Sequence, residues 1–172
     1  QEQSSKRNMA YINIFSLEGE PLFSSLNVYY NRKYVTDEEW FRKVASTEGE
    51  AVITSTYKDN LGNDVISIVR KINNVMQFTT SVGKPLGYLM ITYYETFLEN
   101  TYKYVNFGER GDFYIVDKNN IIISNKDKSM LGKELNFEIW SNLPKNHEPA
   151  IATIMGERYL IFCNEAVNTN WK

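Results

Sequence analysis

Polar and apolar residues alternate along several short stretches of this chain. Tyr11-Ile12-Asn13-Ile14-Phe15 and Leu22-Phe23-Ser24 flank Glu18-Gly19-Glu20-Pro21, a pattern that predicts a hairpin with Gly19 supplying the positive φ of its turn. Thr36-Asp37-Glu38-Glu39 has the form of a capping box, with Thr36 as N-cap and Glu39 at the third helical position. The helix it opens places Trp40, Phe41 and Val44 on one face. Ala51-Val52-Ile53-Thr54, Val65-Ile66-Ser67-Ile68-Val69 and Tyr88-Leu89-Met90-Ile91 are short and β-branched or apolar, separated by Asn/Gly turns. They predict an antiparallel sheet. Helical spacing returns through Phe97, Leu98, Thr101, Tyr102 and Val105 and stops at Gly108.

The second half repeats the opening of the first. Leu17-Glu18-Gly19-Glu20-Pro21-Leu22-Phe23-Ser24 aligns without a gap on Asp117-Lys118-Asn119-Asn120-Ile121-Ile122-Ile123-Ser124. Asn119 falls opposite Gly19, and Asn tolerates the left-handed conformation well. Each copy follows a β run, Ile12-Asn13-Ile14-Phe15 or Phe113-Tyr114-Ile115-Val116. A tandem of two small α+β modules accounts for this; two unrelated hairpins are the alternative.

The 172 residues are 42% hydrophobic and 23% charged, enough to bury a core in one ordinary domain or two small ones. The net charge of -2 comes from interspersed acids and bases, so nucleic-acid binding through a basic stripe is not expected. The 12 tyrosines suit half-buried sheets and polar ligands alike. With one cysteine, Cys163, there is no internal disulfide or cysteine zinc site, and the residue reads as a small buried hydrophobe in a strand. The single histidine, His147, stands in a Pro-flanked loop with no catalytic signature around it. No run reaches the ~18 apolar residues of a membrane-spanning helix. The polar N-terminus has no signal-peptide pattern, and Asn170-Trp171-Lys172 reads as the start of a further strand, so a longer parent protein is expected.

Phe107-Gly108-Glu109-Arg110-Gly111-Asp112-Phe113-Tyr114-Ile115-Val116-Asp117, Ile121-Ile122-Ile123-Ser124 and Met130-Leu131-Gly132-Lys133-Glu134-Leu135 resemble the membrane-proximal half of double Cache domains. Gly156-Glu157-Arg158-Tyr159-Leu160-Ile161 resembles that family's closing hairpin. Glu39-Trp40-Phe41, Ser67-Ile68-Val69-Arg70-Lys71-Ile72 and Gly87-Tyr88-Leu89-Met90-Ile91 look like the membrane-distal half. The whole, over residues 9 to 172, is similar to extracellular sensors of Gram-positive histidine kinases often encoded beside carbohydrate transporters. The resemblance implies an α+β fold of two tandem PAS-like modules, each a central antiparallel sheet flanked by helices. It implies a membrane-distal module over 9–94 and a membrane-proximal module over 95–172, the latter opening on a linking helix. Most of the family's long N-terminal helix is missing before Tyr11, as is the strand expected after Lys172. The amino-acid-binding subset carries an Arg two residues before the pocket Trp and an Asp near the end of the last distal strand. Glu38 and Thr92 stand there instead, so a free amino acid is not the expected ligand.

The resemblance places a ligand pocket in the distal half, and five residues are its candidates. Trp40 offers a flat apolar wall, or simply fills the core beneath its helix. Tyr57 and Asp59 lie at a strand-to-turn junction, as pocket groups or as turn chemistry. Arg70 shares a face with Ile66 and Ile68 in alternating register, and so needs either an acidic partner or an anionic or hydroxyl-rich ligand. Thr92 replaces the missing Asp. The reading is therefore the extracellular part of a bacterial membrane receptor, without cofactor, metal or catalytic residue of its own. It would sense a small molecule such as a sugar or organic acid and dimerise through segments of its parent. The parent would be a sensor histidine kinase, with a methyl-accepting chemoreceptor or a protein-binding adhesion or scaffold module as alternatives.

Overall fold

The protein is described by a computed structural model over residues 8–26, 32–74, 83–142, 148–166, 169 and 171–172. It divides into two compact units, 1–97 and 98–172, three residues past the division after Tyr94 that the resemblance implies.

The first unit is built on one antiparallel sheet. Its strands are β1 (Met9–Phe15), β2 (Pro21–Ser24), β3 (Val52–Ile53), β4 (Tyr57–Lys58), β5 (Asp64–Asn73) and β6 (Pro85–Tyr94). They run in the order β2-β1-β6-β5-β3, with β4 also on β5. Two helices, α1 (Arg32–Asp37) and α2 (Glu39–Ala45), are inserted between β2 and β3. Cross-strand partners share a face in an antiparallel pair. The register Phe15↔Tyr88, Asn13↔Met90, Tyr11↔Thr92, Thr92↔Ser67 and Met90↔Val69 therefore gathers these residues on one face, called inner below. Ile12, Ile14, Ile68, Arg70, Leu89 and Ile91 point to the other.

Helix α2 covers one end of the inner face. Trp40, Phe41 and Val44, with Val35 from α1, pack against Phe15, Val69, Tyr88 and Met90 in a single apolar cluster. Each such side chain, once buried, contributes about 1.5–3 kcal/mol. The helix boundary differs from the capping-box pattern: Thr36 lies within α1, and Glu38 takes the N-cap of α2 without a side-chain cap bond. Splitting the segment into two short helices lets both Val35 and the Trp40–Val44 stripe reach the core, a packing gain that outweighs the local cap preference. The far end of α2 is tied down by Lys71, whose Nζ donates to the carbonyls of Ala45 (2.8 Å) and Thr47 (2.5 Å). A cation at helix C-terminal carbonyls is favourable.

The unit boundary falls inside α3 (Thr96–Tyr102), which ends before the expected Val105. The second unit contains β7 (Ile115–Val116), β8 (Ile122–Ser124), a 3₁₀ turn at Lys128–Met130, α4 (Phe137–Ser141), β9 (Ala150–Ile154) and β10 (Glu157–Ile161). Among the described residues these strands form two separate two-stranded ladders, β7-β8 and β9-β10, where the expectation was one central sheet. Val116, Ile122 and Leu135 make its apolar cluster, with Tyr114, Met130, Leu131 and Ile139 against them. Cys163 lies just past β10 and is partly buried, which raises its thiol pKa; His147 lies outside the described residues.

The β1–β2 and β7–β8 hairpins share their turn, in a register shifted by one from the sequence alignment. Ser16 N–H donates to Glu20 O (2.8 Å) and Gly19 N–H to Ser16 O (3.1 Å); Asp117 N–H donates to Ile121 O (2.9 Å) and Asn120 N–H to Asp117 O (3.0 Å). The left-handed residue is Gly19 in one and Asn120, not Asn119, in the other, with φ of 81° and 63°. The same turn occurs a third time between β4 and β5, where Asp59 N–H donates to Asn63 O, Gly62 N–H donates to Asp59 O, and Gly62 has φ of 82°.

Candidate functional site

Beside that apolar cluster the inner face carries a group of polar side chains. Ser67, from the middle of an otherwise apolar strand, meets Thr92 of β6 with Oγ and Oγ1 2.8 Å apart, and both residues are fully buried. The Tyr57 hydroxyl joins the same Ser67 Oγ at 2.7 Å. Ser67 N–H in turn donates to Thr54 Oγ1 at 2.9 Å. Three hydroxyls thus form a hydrogen-bonded chain across β4, β5 and β6. Tyr11, the cross-strand partner of Thr92 on β1, extends the row and is also buried.

The next row holds Asn13, only 1% exposed although it lies between two isoleucines in sequence. Neither its Oδ1 nor its Nδ2 has a hydrogen-bond partner. Its neighbour across the β1–β2 pair is Ser24, whose Oγ is likewise shielded and unpaired. A buried polar group left unsatisfied costs about 1–3 kcal/mol. Two such residues lie side by side here, in the row next to the hydroxyl chain.

The five sequence candidates separate on this geometry. Thr92 and Tyr57 come together through Ser67. Trp40 is 7% exposed and packed in the apolar cluster, its ring centroid 5.7 Å from those of Phe15 and Phe41. It borders the polar rows through Phe15, the next inner residue after Asn13 on β1.

Asp59 is engaged in its turn. Its Oδ1 accepts from Leu61 and Asn63 N–H, both at 2.9 Å, and its Oδ2 faces Asn63 Nδ2 at 3.3 Å. Arg70 requires a correction. It does share a face with Ile66 and Ile68, but that face is turned away from Trp40, Ser67 and Thr92. Its Nε donates to Gly49 O at 2.6 Å and the side chain is exposed, so its partner among the described residues is a backbone carbonyl and not an acid.

Sequence reasoning missed Tyr11, Asn13, Ser24 and Ser67. A signal for two of them was present. Asn13 in Ile12-Asn13-Ile14 and Ser67 in Ile66-Ser67-Ile68 are single polar residues inside strands, where a lone polar position is costly unless it is used.

No group of His, Cys, Asp and Glu able to hold a metal ion occurs among the described residues. No described helix is long and apolar enough to cross a membrane.

A search of curated proteins returned no sequence relative. Solved structures share the fold. The extracellular domain of the protein assigned as histidine kinase rpHK1S-Z16 superposes with a TM-score of 0.73 at 14% identity, over 99% of this chain and 70% of that one. The ligand-binding domain of the Pseudomonas aeruginosa chemoreceptor PctB, in complex with L-glutamine, gives 0.72 at 13% identity, over 96% and 66%. That of the Pseudomonas fluorescens chemoreceptor CtaA, in complex with L-isoleucine, gives 0.69 at 15% identity, over 98% and 68%. At such identities the likeness is one of fold. The family model described as Cache domain matches residues 1–172, and this chain belongs to the Cache domain family, whose members are ligand-binding domains of extracellular sensors.

Proposed function

We propose that this chain is the ligand-sensing ectodomain of a membrane receptor, and that a small molecule from outside the cell binds the inner face of the first unit's sheet. The observation that carries this reading is the Tyr57–Ser67–Thr92 hydroxyl chain beside buried polar groups that lack partners. A binding surface of this kind combines an apolar wall, here Trp40 and Phe15, with a few convergent polar groups. The first unit would be membrane-distal and the second membrane-proximal, the receptor working as a homodimer. Ligand binding would act only through its differential affinity for two conformations. A sensor histidine kinase is the parent we favour, on the resemblance of the Phe107–Asp117 and Met130–Leu135 segments to kinase sensors; an assigned kinase ectodomain shares the fold. The likeness to PctB and CtaA supports a chemoreceptor parent as the second reading.

The test is a thermal-shift screen of sugars, organic acids, amino acids and short peptides, repeated on Thr92→Val and Tyr57→Phe. At a hundred times its dissociation constant a ligand stabilises the fold by about 2.7 kcal/mol. Both variants should fold and lose most of that shift. Equal shifts in the wild type and both variants would place binding elsewhere.

A further inference from the structure

The ligand's chemical class can be read from the rows next to the hydroxyl chain, granting the reading that ligand binds this face. Four polar side chains lie there in adjacent rows: Asn13 and Ser24 in one, Ser67 and Thr92 in the next. None carries a formal charge. Among the described residues, the charged group closest along these strands on the same face is Lys71, and its ammonium already serves the Ala45 and Thr47 carbonyls at the end of α2. Asp59 is held by its own turn, and Arg70 points from the opposite face.

We propose that Asn13 and Ser24 are ligand-binding residues, and that the ligand is an uncharged, polyhydroxylated small molecule of the sugar or polyol class. A side-chain amide presents a donor and an acceptor next to each other. Two neighbouring hydroxyls match it, one donating to Oδ1 while the other accepts from Nδ2. The Ser24 hydroxyl can turn to donate or accept toward a third. An ionised ligand fits less well. A carboxylate would face Oδ1 of Asn13 with like polarity, an ammonium would leave Nδ2 unmatched, and either ion would be stripped of water with no free counter-charge on this face among the described residues. The unpaired state of both Asn13 and Ser24 follows from the same role. Groups reserved for a ligand go unsatisfied in its absence, whereas a structural Asn at 1% exposure would be bonded within the protein.

Two measurements test this. The first needs no ligand: the melting temperature of Asn13→Leu, a near-isosteric apolar replacement. It should equal or exceed that of the wild type, because an unsatisfied buried amide is removed. A fall of more than about 4 °C, or failure to fold, would show that the amide is structural and overturn the proposal. The second screens neutral mono- and disaccharides and polyols against L-glutamine, L-isoleucine and citrate by thermal shift and calorimetry. A neutral compound should bind the wild type. Asn13→Leu should weaken it by about tenfold to a hundredfold, and Ser24→Ala by about tenfold or less, as for lost neutral hydrogen bonds. If only the amino acids or citrate bind, or no neutral compound does, the assigned class is wrong. If a neutral compound binds equally well to Asn13→Leu, the assigned residues are wrong. Neither result touches the sensing reading, which fails separately if Thr92→Val and Tyr57→Phe bind as the wild type does.

Discussion

In the first unit the turn after β1 is closed by Ser16, whose Oγ accepts from the N–H groups of Glu18 and Glu20, both at 3.2 Å. In the second, Asp117 does the same for the turn after β7, with Oδ1 accepting from Asn119 at 2.8 Å and Ile121 at 3.0 Å. From that shared beginning the units diverge in how they treat buried polar groups. The second satisfies nearly all of them. Tyr102 OH meets Ser124 Oγ at 2.8 Å. Asn125 Nδ2 donates to Asp112 Oδ1 and the Phe113 carbonyl, and its Oδ1 accepts from Asp127 N–H. Among the described residues of this unit, Asn120 Oδ1, at the turn itself, is the one buried side-chain atom left over. The first unit leaves Asn13 and Ser24 unpaired beside a hydroxyl chain. Two buried asparagines thus differ in kind: Asn125 knits a loop to a strand, whereas the Asn13 amide has no partner.

The largest expected effects test whether each unit has its own core. Phe15→Ala should cost about 3–5 kcal/mol and Ile122→Ala about 2–5 kcal/mol, both read from denaturant midpoints. Both residues are fully buried, each within its own unit. If emptying either site left the midpoint unchanged, the division into cores would be mistaken.

The two asparagines give the sharpest contrast. Asn125→Leu should destabilise by about 2–3 kcal/mol, since it strands the groups that Asn125 satisfies, while Asn13→Leu should stay within about 0.5 kcal/mol of the wild type or above it. Equal losses would erase the distinction between the units.

The turns come next. Asp59→Ala and Asp117→Ala should each cost about 1.5–3 kcal/mol and Ser16→Ala about 0.5–1.5 kcal/mol, because the carboxylate bonds are charge-assisted and the serine bonds are not. Equilibrium unfolding would check the ranking, and a Ser16 variant hit hardest would contradict it.

The smallest effect is confined to alkaline solution. Tyr114 in the second unit has its pKa raised, chiefly by burial and then by its hydrogen bond to Asp112. The folded state therefore resists losing that proton, and the associated stability is complete below the unfolded tyrosine pKa of about 10 and declines as pH rises above it. Tyr114→Phe should blunt the loss of stability between about pH 10 and pH 12, measured by urea unfolding at each pH. An unchanged alkaline slope would show that another group is responsible.

The hairpins were legible in the sequence because a Gly or Asn at a tight turn is a local demand, met within four or five residues. That same locality limited what they could say about domains. The turn closed by Ser16 and Asp117 is also closed by Asp59 within the first unit, so the matching segments marked a kind of hairpin, recurring three times, rather than the start of a module. The resemblance of longer segments, spread over both halves, was what carried the family.

Strands, turns and the Trp40–Val44 stripe were fixed by the chain's own pattern, since each depends on neighbours a few residues away. Which face of a strand would be buried did not follow from that pattern. Period-two reading of Ile12-Asn13-Ile14 favours burying the isoleucines, yet Asn13 is the enclosed residue and the isoleucines are half-buried. The order of strands and the single helical cover decided it: Phe15, Tyr88, Met90 and Val69 anchor α2 on one side, and every second residue along those strands must follow. The same alternation took Arg70 away from Trp40 and brought Ser67, unremarked in sequence, between Tyr57 and Thr92. Contacts between residues 10, 25 and 81 positions apart exist only after the sheet closes, which is why the candidate site belongs to the tertiary structure.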